Sequence, residues 1–393
     1  MAAFARFAMV FLGGLVAAAT IGKLVPHVQW MATRFDVSLA ASGFLVSAVM
    51  LSGVLCGPLL GVIVDRFGAK QVTLIGLALE ALASLALGHA ESFAALAALR
   101  IAEGVGYSLA IVAGTVLVIG GATERRRPLA LAVWSAFAPV GFALGQWLGS
   151  GVAANDPLPA LGDGHAAALV GVALLIALVS PRDPAGSRTV SRALFFAALK
   201  HAPALRTALA FGCSTALLLG AVALAPLVLA AASGLSIAET ARLTALAALP
   251  GILGRFVSGW LLGASVRPIV LFLVASVAGS FFIVGALAGV VPFPAALACF
   301  AGFQICIGAL PGIMSAMLPL VAPSPGQLGT VTGLANQMIT AGNLVAPPLV
   351  LGVFVLGGAG AAIAVLIAAV VGSVLLVSGI AVYRKPLAAG SQS

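Results

Sequence analysis

The stretch Gly61-Val-Ile-Val-Asp65-Arg66-Phe-Gly68-Ala-Lys70 decides the reading of this chain of 393 residues. It sets one acid and two bases among glycines, with long apolar runs on both flanks. Such a turn marks the point where a chain leaves a hydrophobic layer and returns to it. The rest of the composition requires that layer: 62% of the residues are hydrophobic, only 7% are charged, and the mean hydropathy is +1.22. A soluble domain needs far more polar surface, so the chain belongs in a bilayer.

Crossing roughly 30 Å of hydrocarbon takes about 20 apolar residues at about 1.5 Å each. Apolar runs between polar or Pro/Gly breaks give twelve spans, at 7–26, 39–62, 71–89, 93–119, 128–150, 166–180, 204–232, 238–262, 268–288, 295–320, 328–350 and 358–382. The runs are continuously apolar and rich in Ala and Leu, which predicts helices and not the alternation of a barrel. Met1 to Val25 carries one Arg before an apolar run, with no small-residue cleavage site ahead of a soluble domain. It reads as an uncleaved first span.

Twelve spans put both termini on one side, and the Lys and Arg positions say which. With the N-terminus inside, the inner segments collect Arg6, Arg66, Lys70, Arg125, Arg126, Arg127, Arg182, Arg188, Arg192, Lys200, Arg206, Arg267, Arg384 and Lys385, 14 of the 19 basic residues. Both termini are therefore expected in the cytoplasm, as in a multi-pass protein of the inner membrane. The same asymmetry accounts for the net charge of +9 and the pI near 10.3. The bases lie on separate loops without interleaved aromatics, which predicts membrane lipid as their partner and no nucleic acid. Cys56, Cys213, Cys299 and Cys306 all fall in apolar runs. Cys299 and Cys306 share a helix face but stand about 10 Å apart along it, too far to bridge. Small core residues, with no metal site, are the reading.

Shifting the chain on itself by 198 positions aligns Leu51-Ser-Gly53-Val-Leu55 with Leu249-Pro-Gly251-Ile-Leu253, Gly61 with Gly259, and Ser38 with Ser236. A duplicated six-span half follows. The second copy has Gly263 and Ala264 where the first has Asp65 and Arg66, so one half alone keeps the charged turn. Between the halves, Pro181 to Pro203 concentrates Pro, Asp, Ser, Arg and Lys. Its later part, Ser191 to Lys200, has the pattern of a short amphipathic helix lying on the membrane surface.

The order Gly61-x-x-x-Asp65-Arg66-x-Gly68-x-Lys70 between the second and third spans resembles the signature loop of the major facilitator superfamily. Arg100-Ile-Ala-Glu103-Gly104-Val-Gly106 is similar to that family's pattern in span four, and its Glu to a bacterial branch that includes cyanate-permease-like carriers. Trp134 through Pro139, Gly141, Gly145 and Gly149 resembles the fifth span of that branch. Gly333-Leu-Ala-Asn336-Gln337 through Gly342-Asn343 to Pro347-Pro348 resembles its eleventh. The resemblance runs over essentially the whole chain. It implies an all-α integral membrane protein of twelve transmembrane helices in two six-helix bundles, 1–180 and 204–393, joined by a cytoplasmic linker at 181–203, with the substrate path between the bundles. Two departures stand out: Ala69 replaces a frequent basic residue, and Ala138-Pro139 replaces a Gly-Pro pair in span five. The second leaves the direction of transport open.

Physical roles follow from residue type. Asp65, Arg66 and Lys70 at inner helix ends are suited to clamp neighbouring helices, while Gly61 and Gly68 permit close approach and a sharp turn. Breaking that gate should shift inward and outward populations more than the binding site itself. Ionisable groups inside a bilayer cost roughly 2.5–3.5 kcal/mol each on insertion scales, so they mark function. They are Lys23, Glu80, Arg100, Glu103 and Arg255. Arg100 and Glu103, three residues apart, form either a neutralised structural pair or an anion contact beside a proton-coupling carboxylate. Lys23 either snorkels outward at the end of span one or contacts substrate, and Arg255 either anchors on headgroups or faces the cavity. For Glu80 an interhelical hydrogen bond is expected. The amides Gln304, Asn336, Gln337 and Asn343 join helices or contact ligand. Gly104, Gly106, Gly141 and Gly145 serve helix packing, and Pro139, Pro311, Pro347 and Pro348 should kink or break their helices.

Enzyme chemistry lacks its parts, because His27, His89, His165 and His201 are scattered at the ends of the expected spans and no nucleophile stands with a base. Gly22-Lys23 is followed by Leu24 and makes no phosphate loop. A channel would not need the repeat with its signature turn. The reading is a monomeric secondary transporter for a small solute, without cofactor and driven by a proton gradient. Three deep cations against two anions favour an organic or inorganic anion; a proton-driven exporter of lipophilic compounds is the alternative. Asp65→Asn and Arg100→Ala are each expected to cripple uptake in proteoliposomes, and full activity in both refutes the site assignment.

Overall fold

A computed structural model describes residues 2–152, 155–180, 192–385 and 387. Among these the chain is helical throughout, without strands. The first half runs α1 (Ala2–Gly22), α2 (Val28–Arg34), α3 (Leu39–Ser47), α4 (Leu51–Phe67), α5 (Ala69–Ala86), α6 (Phe93–Gly121), α7 (Arg127–Trp134), α8 (Phe137–Ser150) and α9 (Pro157–Val179). The second runs α10 (Arg192–Lys200), α11 (Ala202–Ser233), α12 (Ile237–Ala248), α13 (Gly251–Gly263), α14 (Pro268–Leu287), α15 (Phe293–Val321) and α16 (Leu328–Ser378). Helix α10 covers all but Ser191 of the expected amphipathic segment; residues 181–191 of the linker lie outside the described part.

Eleven helical stretches of the described residues are long and apolar enough to cross a membrane. The last, Pro325–Ser378, has 54 residues, about 80 Å at about 1.5 Å each, which is more than twice the hydrocarbon thickness. It breaks at Gly358 (φ 73°, ψ −172°), a conformation open essentially to glycine alone. Two crossings therefore share it, and the total is the twelve expected. The dihedral break sits at Gly358 and not at Pro347 or Pro348, through which the helix continues. Large apolar side chains such as Leu178, Phe281 and Leu356 stand 82%, 76% and 90% exposed, a surface that only lipid can cover.

Spans assembled from two helices have identifiable breaks. A 3₁₀ turn at Val25–His27 carries span one on into α2 as far as Arg34, beyond the expected end at 26. In span five, Pro139 has no N–H to offer the carbonyl four residues back, and α7 gives way to α8 at Ser135–Ala136. The repeat is visible in caps as well. Ser38 (φ −63°, ψ 154°) takes the N–H of Ala41, and its counterpart Ser236 (φ −64°, ψ 154°) takes that of Glu239.

Two compact units result, one of residues 1–122, 136–200 and 323–337, the other of 123–135, 201–322 and 338–393. In the first, α1 packs on α8, α5 on α6 and α9, and α4 on α6. Gly141, Gly145 and Gly149 of α8 lie against the backbone of Leu15, Ala19 and Lys23, which a side chain there would obstruct. In the second, α13 packs on α15 and α7, and α14 on α15. Gly61 meets Gly329 and Thr330, whereas its repeat partner Gly259 meets Leu129 and Ala132. Each unit thus receives the first half of a broken or long helix at the same repeat position.

The turn at 61–70 is almost wholly helical: α4 continues through Asp65 and Arg66 to Phe67, α5 begins at Ala69, and Gly68 alone (φ 90°, ψ 150°) makes the reversal. Gly68→Ala is expected to cost about 1–3 kcal/mol because no L side chain suits those dihedrals. Thermal unfolding of the purified protein checks this against Gly120→Ala, where a methyl meets nothing within 4 Å.

Candidate functional site

The charges of the turn go to helix ends. Asp65, buried at the end of α4, accepts from Gly329 N (2.6 Å), Thr330 N (2.8 Å) and Thr330 Oγ1 (2.6 Å), the first residues of α16. A carboxylate there satisfies orphan N–H groups and faces the positive end of the helix dipole. Lys70 does the complementary work, donating to Ala177 O (2.8 Å) and Ser180 O (2.5 Å) at the negative end of α9. The Arg66 guanidinium lies 5.2 Å from the Phe67 ring centroid. Beside this junction Gln327 donates to Leu194 O of α10 (2.7 Å), tying the surface helix to the same end of α16.

Deeper in the first unit, five side chains meet, four from α5, α6 and α9 and one from the turn that follows α1. Lys23 Nζ of that turn lies 2.5 Å from Glu103 Oε1 and from Ser84 Oγ, and 3.0 Å from His165 Nδ1. Glu103 Oε2 takes Arg100 Nη1 from the same helix, α6. Arg100 also donates to Leu45 O (3.0 Å), Thr20 O (2.9 Å) and Thr20 Oγ1 (3.2 Å), so its guanidinium braces α6 against α1 and α3. Gly104 makes room for that brace by admitting Val49 of the α3–α4 break against its α-carbon. Ser84 Oγ of α5 accepts a hydrogen bond from Lys23 Nζ and donates one to Glu103 Oε1. His165 Nε2 faces the carbonyl of Val16 at 2.8 Å and must donate, while Nδ1 faces an ammonium and must accept. Nδ1 also lies 2.8 Å from Ser84 Oγ, and a ring with its proton assigned to Nε2 fits these contacts. Lys23, Arg100 and Glu103 are almost sealed, at 4%, 0% and 0% exposure. Two cations thus share one anion where unpaired charge is costly.

Lys23 therefore points into the bundle and does not snorkel, because span one extends well beyond it. His165 was expected at a helix end; α9 begins at Pro157, which places it two turns inside. The polar run Gly162-Asp163-Gly164-His165 hid this by delaying the apparent start of the span. Ser84 and Thr20 gave no sequence signal, since small hydroxyls inside apolar runs usually serve backbone carbonyls. Glu80, one turn from Ser84 on α5, is fully buried and neither carboxylate oxygen has a hydrogen-bond partner, in place of the expected interhelical bond. Gly106 lies against Gly76 and Glu80 where α5 and α6 cross.

Gln337 Nε2 donates to Val54 O (2.7 Å), joining α16 to α4; Asn336 is buried beside it in sequence. Arg255 is buried on α13 of the second unit. No group of three or more His, Cys, Asp or Glu able to hold a metal occurs among the described residues.

A family model described as Major Facilitator Superfamily matches residues 10–347, and the chain belongs to that superfamily. Multidrug resistance protein 1 of Bacillus subtilis (strain 168) is 26% identical over 165 residues, 42% of this chain and 42% of that protein. Multidrug resistance protein Stp of Mycobacterium tuberculosis (strain CDC 1551 / Oshkosh) is 30% identical over 122 residues, 31% of this chain and 20% of that protein. The chain spans less than half the length of these curated relatives. Among solved structures, the superfamily transporter FucP in the outward conformation aligns with TM-score 0.76 at 16% identity, covering 96% of this chain and 99% of FucP. The human organic anion transporter MFSD10 (TETRAN) aligns with TM-score 0.72 at 19% identity, covering 95% and 99%. These likenesses establish the fold. The chain is a multi-pass membrane protein of that superfamily.

Removing one member of a buried ion pair strands the other, typically at about 3–5 kcal/mol. Lys23→Met and Glu103→Gln are each expected to lower the thermal stability of the purified protein, and the double variant by less than their sum. Strict additivity in that cycle refutes the pairing.

Proposed function

We propose that this carrier moves a small organic or inorganic anion together with protons, by alternating access, across the inner membrane, with both termini cytoplasmic. The observation that carries the reading is the buried cluster in which Lys23 and Arg100 share the single anion Glu103. A proton arriving on Glu103 competes with Lys23, Ser84 and Arg100 for its oxygens. Once Glu103 is neutral, Lys23 and Arg100 lose the carboxylate they share, and an anionic solute takes its place. Release of the solute lets Glu103 give up its proton and recover both pairs. Proton and anion are thus favoured together, which is symport. Arg100 is committed to Thr20 and Leu45, so Lys23 is the cation free to turn to the solute.

The Asp65 clamp serves as the conformational gate in this cycle. Bundles 1–180 and 204–393 around the linker 181–203 supply both halves of the path in one chain, so a monomer suffices. The span-four and span-five patterns support a cyanate-permease-like affiliation. The names of the Bacillus and Mycobacterium relatives favour a second reading, export of lipophilic compounds against protons. In that reading a cationic drug, and not Lys23, competes with the proton for Glu103.

Purified protein in proteoliposomes separates the two when charge movement and internal pH are recorded with small anions or lipophilic cations, with and without a proton gradient. An anion-evoked, proton-dependent current that disappears in Glu103→Gln is expected. A response to lipophilic cations alone replaces the symporter with the exporter.

A further inference from the structure

Arg255 is the second unit's buried cation, and its own half of the chain contains nothing to neutralise it. From His201 to Ser393 the sequence has a single acidic residue, Glu239. That carboxylate is exposed and closes the capping box of α12, accepting from Ser236 N (3.0 Å) and Ser236 Oγ (2.6 Å). The segment 123–135 of the same unit adds only Glu124, which is exposed.

The hydrogen bonds tell the same story. Arg255 is 6% exposed, its Nε is buried without a partner, and Nη1 reaches the carbonyl of Gly251 only at 3.5 Å. Arg100 shows what a structural arginine looks like in this protein, with two backbone carbonyls, a hydroxyl and a carboxylate in place. A guanidinium cannot discharge itself by losing its proton, so its deficit persists.

Lipid does not supply the missing anion on geometric grounds. On α13 the exposed side is Leu253, Phe256, Val257 and Trp260, whereas Arg255 shares the buried side with Gly251, Gly254, Ser258 and Gly259. Its α-carbon faces small residues: a methyl built on Gly312 would lie 3.4 Å from it and 3.5 Å from the Ala132 side chain. Packing does not ask for an arginine either. At the 198-residue shift the counterpart of Arg255 is Gly57, where bare backbone meets Gly333.

We propose that Arg255 is the anion-recognition residue of the second half, and that it binds a carboxylate, nitrate or phosphate group of the transported solute with its guanidinium fork. The proposal rests on the anion-carrier reading and adds to Lys23 a second cation that meets the solute.

Purified full-length protein, in detergent and in nanodiscs of phosphatidylcholine, is titrated with sodium acetate, succinate, nitrate and phosphate at constant ionic strength while thermal unfolding is followed by tryptophan fluorescence. At least one anion is expected to raise the unfolding temperature of the wild type, with about tenfold or greater loss of affinity in Arg255→Gln. Arg255→Lys, which keeps the charge and loses the fork, is expected to weaken the same anion severalfold; it decides the matter where the glutamine variant does not fold, and unchanged affinity then overturns the proposal. Equal stabilisation of wild type and Arg255→Gln overturns it while leaving anion transport standing. Stabilisation by lipophilic cations and by none of the four anions overturns both. Stabilisation by phosphatidylglycerol in the nanodisc, abolished in Arg255→Gln and unmatched by any soluble anion, assigns the residue to a lipid headgroup and overturns solute recognition.

Discussion

The carboxylate of Asp65 on the first N–H groups of α16 joins residues 264 and 265 positions apart. Helix ends are the points at which a membrane protein has backbone donors and acceptors without partners, and lipid offers none. One acid at the end of α4 settles the start of α16, and one lysine two residues past Gly68 settles the end of α9. A turn of ten residues therefore ties the junction of α4 and α5 to the start of α16 and the end of α9. The close approach of Gly57 and Gly61 to Gly333 and Gly329 lets the two helices come near enough for the carboxylate to reach.

The interior treats its charges in two opposite ways. In the first unit Lys23, Arg100 and Glu103 are paired, with every oxygen of Glu103 occupied and most donors of Arg100 used, while Glu80 alone of that unit's deep ionisable groups has no hydrogen-bond partner. In the second unit Arg255 stands without an acid, and a sequence with one glutamate in that half leaves it no choice. The Lys23, Arg100 and Glu103 network is closed on itself, whereas the single acid in the Arg255 half of the sequence, Glu239, caps α12.

Much of this was legible in the sequence because its causes are local. Span length follows from hydrocarbon thickness, and the Gly-x-x-x-Asp-Arg-x-Gly turn follows from what a tight reversal between helices demands. The repeat showed through Ser38 and Ser236, whose caps turned out nearly superimposable in dihedral angle. What stayed hidden depends on contacts between distant helices. Composition placed Lys23 at the end of a span, and only the 3₁₀ continuation to Arg34 puts it in the interior. His165 disappeared into a glycine-rich helix start. Arg100 and Glu103 were read as a pair from their spacing, but the third partner, 80 residues from Glu103, has no local signature. The twelfth expected span starts at residue 358, where the break falls, but Pro347 and Pro348, which look like stronger interrupters, are absorbed by a continuous helix.

The near-continuous helix from Leu328 to Ser378 has a consequence for how the molecule presents itself. Its two crossings meet at a single glycine, so that end of the protein exposes scarcely any extended backbone for a protease to grip or an antibody to bind. Surface reagents and inserted epitopes will find their footing on other connections, and the pair of helices enters the bilayer as one hairpin whose tip is defined by a residue without a side chain.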